Sequence, residues 1–150
     1  MKIKFSLLLI FVATLFACNQ DEKDPYFNIL GYWEIAAVTN SWTGEVTSGD
    51  QLNFSERYIF NDDSTFIKFS NKNHKYGQLY EEPAQALGTY EMKLIEDSSN
   101  VFELKLTFET NMGMAVSCGG DTEYLVLTKE NKLMNTGWAA CDGPSFTYQK

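Results

Sequence analysis

The stretch Val101-Phe102-Glu103-Leu104-Lys105-Leu106-Thr107-Phe108-Glu109 alternates apolar and polar residues almost throughout. Phe102, Leu104, Leu106 and Phe108 share one face; Glu103, Lys105, Thr107 and Glu109 share the other. A repeat of two belongs to a strand with one wet and one buried face, because a helix would scatter these residues around its circumference. Weaker versions of the pattern recur along the chain. They are separated by turn formers such as Asn61-Asp62-Asp63-Ser64, Glu96–Asn100 and Lys129-Glu130-Asn131. No stretch carries a convincing helical period. The predicted strands are 32–38, 57–60, 65–70, 88–93, 101–109, 122–128, 132–139 and 145–149.

The connections between these strands are uneven. Those at 39–56, 71–87, 110–121 and 140–144 are mostly long, and those at 61–64, 94–100 and 129–131 are short. In an up-and-down sheet, alternate connections lie at opposite ends, so the long ones should gather on one rim. Eight strands can close into a barrel that holds side chains or one small ligand, and closure removes sheet edges that would invite aggregation. The expected fold is therefore all-β: an eight-stranded up-and-down antiparallel β-barrel over residues 28–150.

The segment ahead of the barrel reads as an address. Lys2 and Lys4 precede Phe5–Phe16, twelve residues of nearly unbroken apolar character. A membrane span needs about 20 such residues, so this is an export signal rather than a transmembrane helix. Leu15-Phe16-Ala17-Cys18 resembles the lipobox of bacterial lipoproteins. That resemblance implies that residues 1–17 are a cleaved lipoprotein signal peptide and that Cys18 becomes a lipid-bearing N-terminus. Acyl chains contribute about 0.8 kcal/mol per buried CH₂, so several together hold a protein on a membrane. Residues 18–27 then form a short tether made acidic by Asp21, Glu22 and Asp24. It is similar to the signal that exports some lipoproteins of diderm bacteria. The expected location is the outer membrane, lipid-anchored, at its periplasmic face or on the cell surface. The tether meets the first strand at the short-turn end, which would hold the long-loop rim away from the lipid.

Loss of residues 1–17 leaves 133 residues, enough for one domain, with ten basic against twenty acidic side chains. So acidic a surface repels phosphate backbones and argues against nucleic acid as a partner. Besides Cys18 there are two cysteines, Cys118 and Cys141, placed symmetrically about the turn at 129–131. A hairpin centred there brings them together at its open end, and the exported compartment favours a disulfide between them. Such a link would tie the fifth and seventh connections.

Three short motifs carry a further likeness. Gly31-Tyr32-Trp33 opens the first strand, Phe60-Asn61-Asp62-Asp63-Ser64-Thr65-Phe66 makes the first hairpin turn, and Gly88-Thr89-Tyr90 opens the fourth strand. Together they resemble the lipocalin-like lipoproteins of the calycin superfamily. The likeness implies a barrel that takes small apolar molecules, with Gly31 and Trp33 as structural residues plugging its closed end. Lipocalins usually pack an arginine near the last strand over that tryptophan; here the only arginine is Arg57, on the second strand.

Signatures of catalysis are missing from the sequence. There is no G-x-S-x-G, G-x-G-x-x-G, Walker loop or H-E-x-x-H. His74, the only histidine, stands in the polar run Asn71–Gly77 and reads as a solvated loop residue, and a three-histidine zinc site is impossible. No enzyme activity, metal or other cofactor is expected. The expected function is binding of a small, partly apolar ligand in or at the mouth of the barrel. Phe60, Phe66, Tyr90, Phe102 and Leu104 would line the interior, with Trp42 and Met114 near the rim. The alternative is a solid-core interaction protein, an inhibitor or assembly partner, that meets another envelope protein through its long rim loops.

Overall fold

Nine antiparallel strands make one sheet in the computed structural model, which describes residues 27–95 and 97–150. The signal segment, Cys18 and most of the tether lie outside the described residues. The strands are β1 (Gly31–Thr39), β2 (Val46–Ser48), β3 (Glu56–Phe60), β4 (Thr65–Asn73), β5 (Gln78–Leu94), β6 (Asn100–Phe108), β7 (Thr122–Thr128), β8 (Leu133–Asn135) and β9 (Ser145–Gln149). Pairing runs β1-β3-β4-β5-β6-β7-β8-β9, and β9 returns to β1 from Glu34↔Gln149 to Thr39↔Ser145. The eight strands thus close an up-and-down barrel. Short β2 lies outside this circuit and pairs with the far end of β1.

Every turn linking β3 to β4, β5 to β6 and β7 to β8 falls at one end; the connections 40–55, 109–121 and 136–144 fall at the other. The predicted rim of long links is therefore present, with one correction. The long connection expected at 71–87 is not there. β4 runs on to Asn73 and β5 begins at Gln78, so a tight turn joins them. Glu81-Glu82-Pro83 made this region read as a loop. Their register explains the strand: pairing jumps from Ser70↔Ala84 to Lys72↔Leu79, and Pro83, which has no N–H to give, falls inside the jump. β8 is shorter than predicted, ending at Asn135, whose side-chain oxygen accepts the Gly137 N–H at 2.9 Å and turns the chain.

The interior is packed. Trp33, Phe60, Phe66, Leu104, Leu106, Leu125, Leu127 and Leu133 are almost wholly buried. Trp33 Nε1 donates to Ile29 O at 2.7 Å, and the Lys150 ammonium lies 5.2 Å over its ring. A lysine from the last strand's end thus supplies the cation over the motif tryptophan. Gly88 explains its own identity. A Cβ there would stand 2.1 Å from Thr107 O and 2.7 Å from the Phe66 ring, which itself packs edge-on against Phe108. Gly88→Ala should cost about 2–3 kcal/mol by overpacking, read as a lowered midpoint in urea unfolding; an unchanged midpoint would show that the wall yields freely at this point.

The disulfide joins Cys118 to Cys141, with Cα atoms 5.8 Å apart. It links the 109–121 and 136–144 connections, as expected. Cys141 sits in a 3₁₀ turn, Ala139–Cys141, rather than on a strand opposite its partner.

Candidate functional site: a buried ionic cluster and a cleft in the outer wall

The upper half of the interior is charged. Along β3 the inward positions are Glu56, Tyr58 and Phe60; along β4 they are Phe66, Lys68 and Ser70; along β7, Glu123, Leu125 and Leu127. Glu56, Lys68 and Glu123 have fully enclosed side chains. Lys68 Nζ lies 3.1 Å from Glu56 Oε1 and 3.5 Å from Glu123 Oε2, and donates to Met114 O at 3.0 Å. Tyr148 donates to Glu56 Oε1 at 2.5 Å, Tyr58 to Glu123 Oε1 at 2.6 Å, and Asn135 Nδ2 to Glu123 Oε1 at 2.5 Å. The ammonium also faces the Tyr58 ring at 4.8 Å. One cation between two carboxylates, each with further donors, is the arrangement in which burial of charge is tolerated.

His74 corrects the sequence expectation. It is buried, not solvated: its ring stands edge-on to Phe54, Trp138 and Phe146, and Nε2 lies 2.5 Å from Glu56 Oε2. A contact so short needs a proton between the two atoms. Its Nδ1 is enclosed with no hydrogen-bond partner. His74 therefore closes the top of the ionic cluster beneath an aromatic cover.

These contacts set the protonation states. Burial works against the Glu56 carboxylate, but Lys68, His74 and Tyr148 outweigh it and hold the group well below its ordinary value of 4.5. Burial, then the neighbouring carboxylates of Glu123 and Glu56, push Tyr58 and Tyr148 well above 10. The linkage has opposite signs at the two ends of the pH scale. A lowered carboxyl contributes stability that is whole above about pH 4.5 and is lost as pH falls towards its folded value. A raised phenol contributes stability that is whole below about pH 10 and is lost as pH rises towards its folded value. The melting temperature should therefore hold a plateau between these limits and fall on both sides. Tyrosinate absorbance should show two phenols ionising only with unfolding; their free titration near pH 10 in the folded protein would contradict this arrangement.

The cluster is sealed, so it cannot meet a ligand. The open site lies outside it. β1 pairs with β3 only as far as Glu34↔Arg57, then leaves it to pair with β2 from Ala37↔Ser48. Ile35 and Ala36, beside a bulge in the β1–β9 ladder, have no strand partner on the β3 side. A cleft of about 750 Å³ opens there. Its floor is one cross-strand row on the outer face: Gln149 of β9, Glu34 of β1, Arg57 of β3 and Phe69 of β4. Gly49, Leu52 and Phe54, from the long β1–β3 connection, stand over it. Glu56 borders both regions. Its carboxylate is enclosed, and the residue also lines the cleft.

No protein-family model, curated protein or solved structure matches this chain.

The residues expected to bind a ligand are placed differently from the expectation. Phe60, Phe66 and Leu104 are buried in one apolar core, where Phe60 packs against Phe66, and Phe66 against Phe108. Tyr90 and Phe102 are half-buried at the lower edge of this core, and the Tyr90 hydroxyl donates to Asn61 O at 2.8 Å. Met114 is buried at the rim, where its carbonyl serves Lys68. Trp42 is 77% exposed and borders a small hollow of about 290 Å³. None of these seven lines the large cleft. Two signals for the missed residues were in the sequence. Glu56, Lys68 and Glu123 share the parity of neighbouring core positions, and Arg57 and Phe69 share the outward parity of adjacent strands. Among the described residues, no group of three or more His, Cys, Asp or Glu is arranged to hold a metal.

Proposed function

We propose that this chain is a lipid-anchored, lipocalin-like module of a diderm outer membrane that binds a small, partly apolar ligand, and that the ligand sits in the outer-wall cleft beneath the rim rather than in the barrel's interior. The cleft carries this reading. It is of ligand size, Ile35, Leu52, Phe54 and Phe69 give it apolar surface, and Arg57, Glu34 and Gln149 add a few polar groups, the usual composition of a small-molecule site. The enclosed carboxylates and imidazole have no route to solvent, which favours binding over catalysis.

The packed interior lends weight to a second reading, an interaction protein acting through its rim loops. A groove of about 650 Å³ at the rim, bordered by Met112, Ala115, Trp138 and Cys118 of the disulfide, is the surface it would use. Native mass spectrometry of the mature lipoprotein after gentle extraction tests the two. A retained small molecule, lost in a Leu52→Glu variant, is the expected result. A stoichiometric protein partner with no small molecule would overturn the first reading in favour of the second.

A further inference from the structure

Arg57 is the chain's only arginine in a protein of net charge −8, and it lies on the floor of the cleft of about 750 Å³. Its guanidinium carbon sits 4.6 Å over the Phe69 ring, so one face of the planar cation is fixed. Among the described residues no carboxylate comes within ion-pair distance of it. Glu34 is its register partner across β1 and β3, yet the two form no ion pair. A guanidinium presents paired donors that match a carboxylate edge to edge, and stacking leaves that edge free.

We propose that the cleft takes a monocarboxylate with an apolar tail, its acid held by Arg57 and its tail laid against Phe69, Leu52 and Phe54. Glu34 sets the limit on charge. It lines the same cleft from the adjoining position, so a second negative charge on the ligand is repelled while a single one still gains from Arg57. The site thus selects monoanions over phosphate esters. This assignment rests on the binding role proposed for the cleft.

The test separates the two. The full mature lipoprotein, purified in detergent, is titrated by calorimetry with 4-phenylbutyrate, 4-phenylbutanol and 4-phenylbutyl phosphate. The acid should bind best. Arg57→Gln should weaken the acid about tenfold or more and leave the alcohol unchanged, since hydrogen bonds to charged groups are the strong ones. Glu34→Gln should strengthen the acid and, more so, the phosphate ester. If the acid and alcohol bind equally and Arg57→Gln changes neither, the cleft is an apolar site and the Arg57 anchor is wrong. If neither compound binds, or Leu52→Glu leaves binding intact, the cleft is not the site and both proposals fall.

Discussion

Lys68→Met should lower stability by about 3–5 kcal/mol, the usual cost of leaving one partner of a buried ion pair alone. A domain of this size has about 5–15 kcal/mol in total, so the variant will sit near its unfolding threshold. The cause is specific. Methionine fills much of the lysine's volume, so little cavity forms, but the Glu56 and Glu123 carboxylates then face each other with no cation between them. Chemical denaturation at neutral pH measures the loss. Its pH dependence identifies the mechanism. Without Lys68 the burial of Glu56 is no longer offset by that cation and its carboxyl moves up, so protonation relieves the defect and the variant recovers ground as pH falls, opposite to the parent. Adding Glu56→Gln and Glu123→Gln to Lys68→Met should restore part of the stability. A Lys68→Met protein as stable as the parent at neutral pH would mean that the ionic cluster is not what holds the upper barrel.

Trp33→Ala should cost a similar amount, about 3–5 kcal/mol, for an unrelated reason. The indole is wholly enclosed and its N–H is bound to Ile29 O at 2.7 Å. Truncation leaves a large void in a region already filled by ring and leucine contacts, and it orphans a carbonyl. Trp33→Phe separates these effects. It keeps most of the apolar volume and loses the hydrogen bond, so it should cost only about 1–2 kcal/mol. Thermal or urea unfolding of the pair measures the difference. Near-equal losses would show that the bond to Ile29, rather than the ring's volume, fixes the closed end.

Much of the barrel was legible because a strand's period is short and its turns are chemically marked. Phe102–Phe108 declared its faces, and Asp62-Asp63 declared a turn; the Asp63 carboxylate accepts the Thr65 N–H at 3.0 Å there. β5 was not legible beyond its lower part, since Pro83 and the glutamates before it mimic a loop, and the jump in register that accommodates them depends on β4. The ionic cluster was half legible. Parity puts Glu56, Lys68 and Glu123 inside, but charged residues at core positions read as interruptions until their partners on distant strands are known. His74 was illegible: its cover of Phe54, Trp138 and Phe146 comes from three separate parts of the chain. The cleft was illegible for the same reason, being the place where one strand changes partner.

The pairing of β9 with β1 has a consequence for how the molecule is made. Tyr148 of β9 completes the shell of Glu56, and Lys150 reaches Asn28 O at 2.5 Å. A polypeptide emerging with its N-terminus first holds Glu56 early and must wait for β9 before that carboxylate has all its donors. Products that lack β9 should therefore stay open and sensitive to protease, as a sheet with two raw edges in place of a closed barrel.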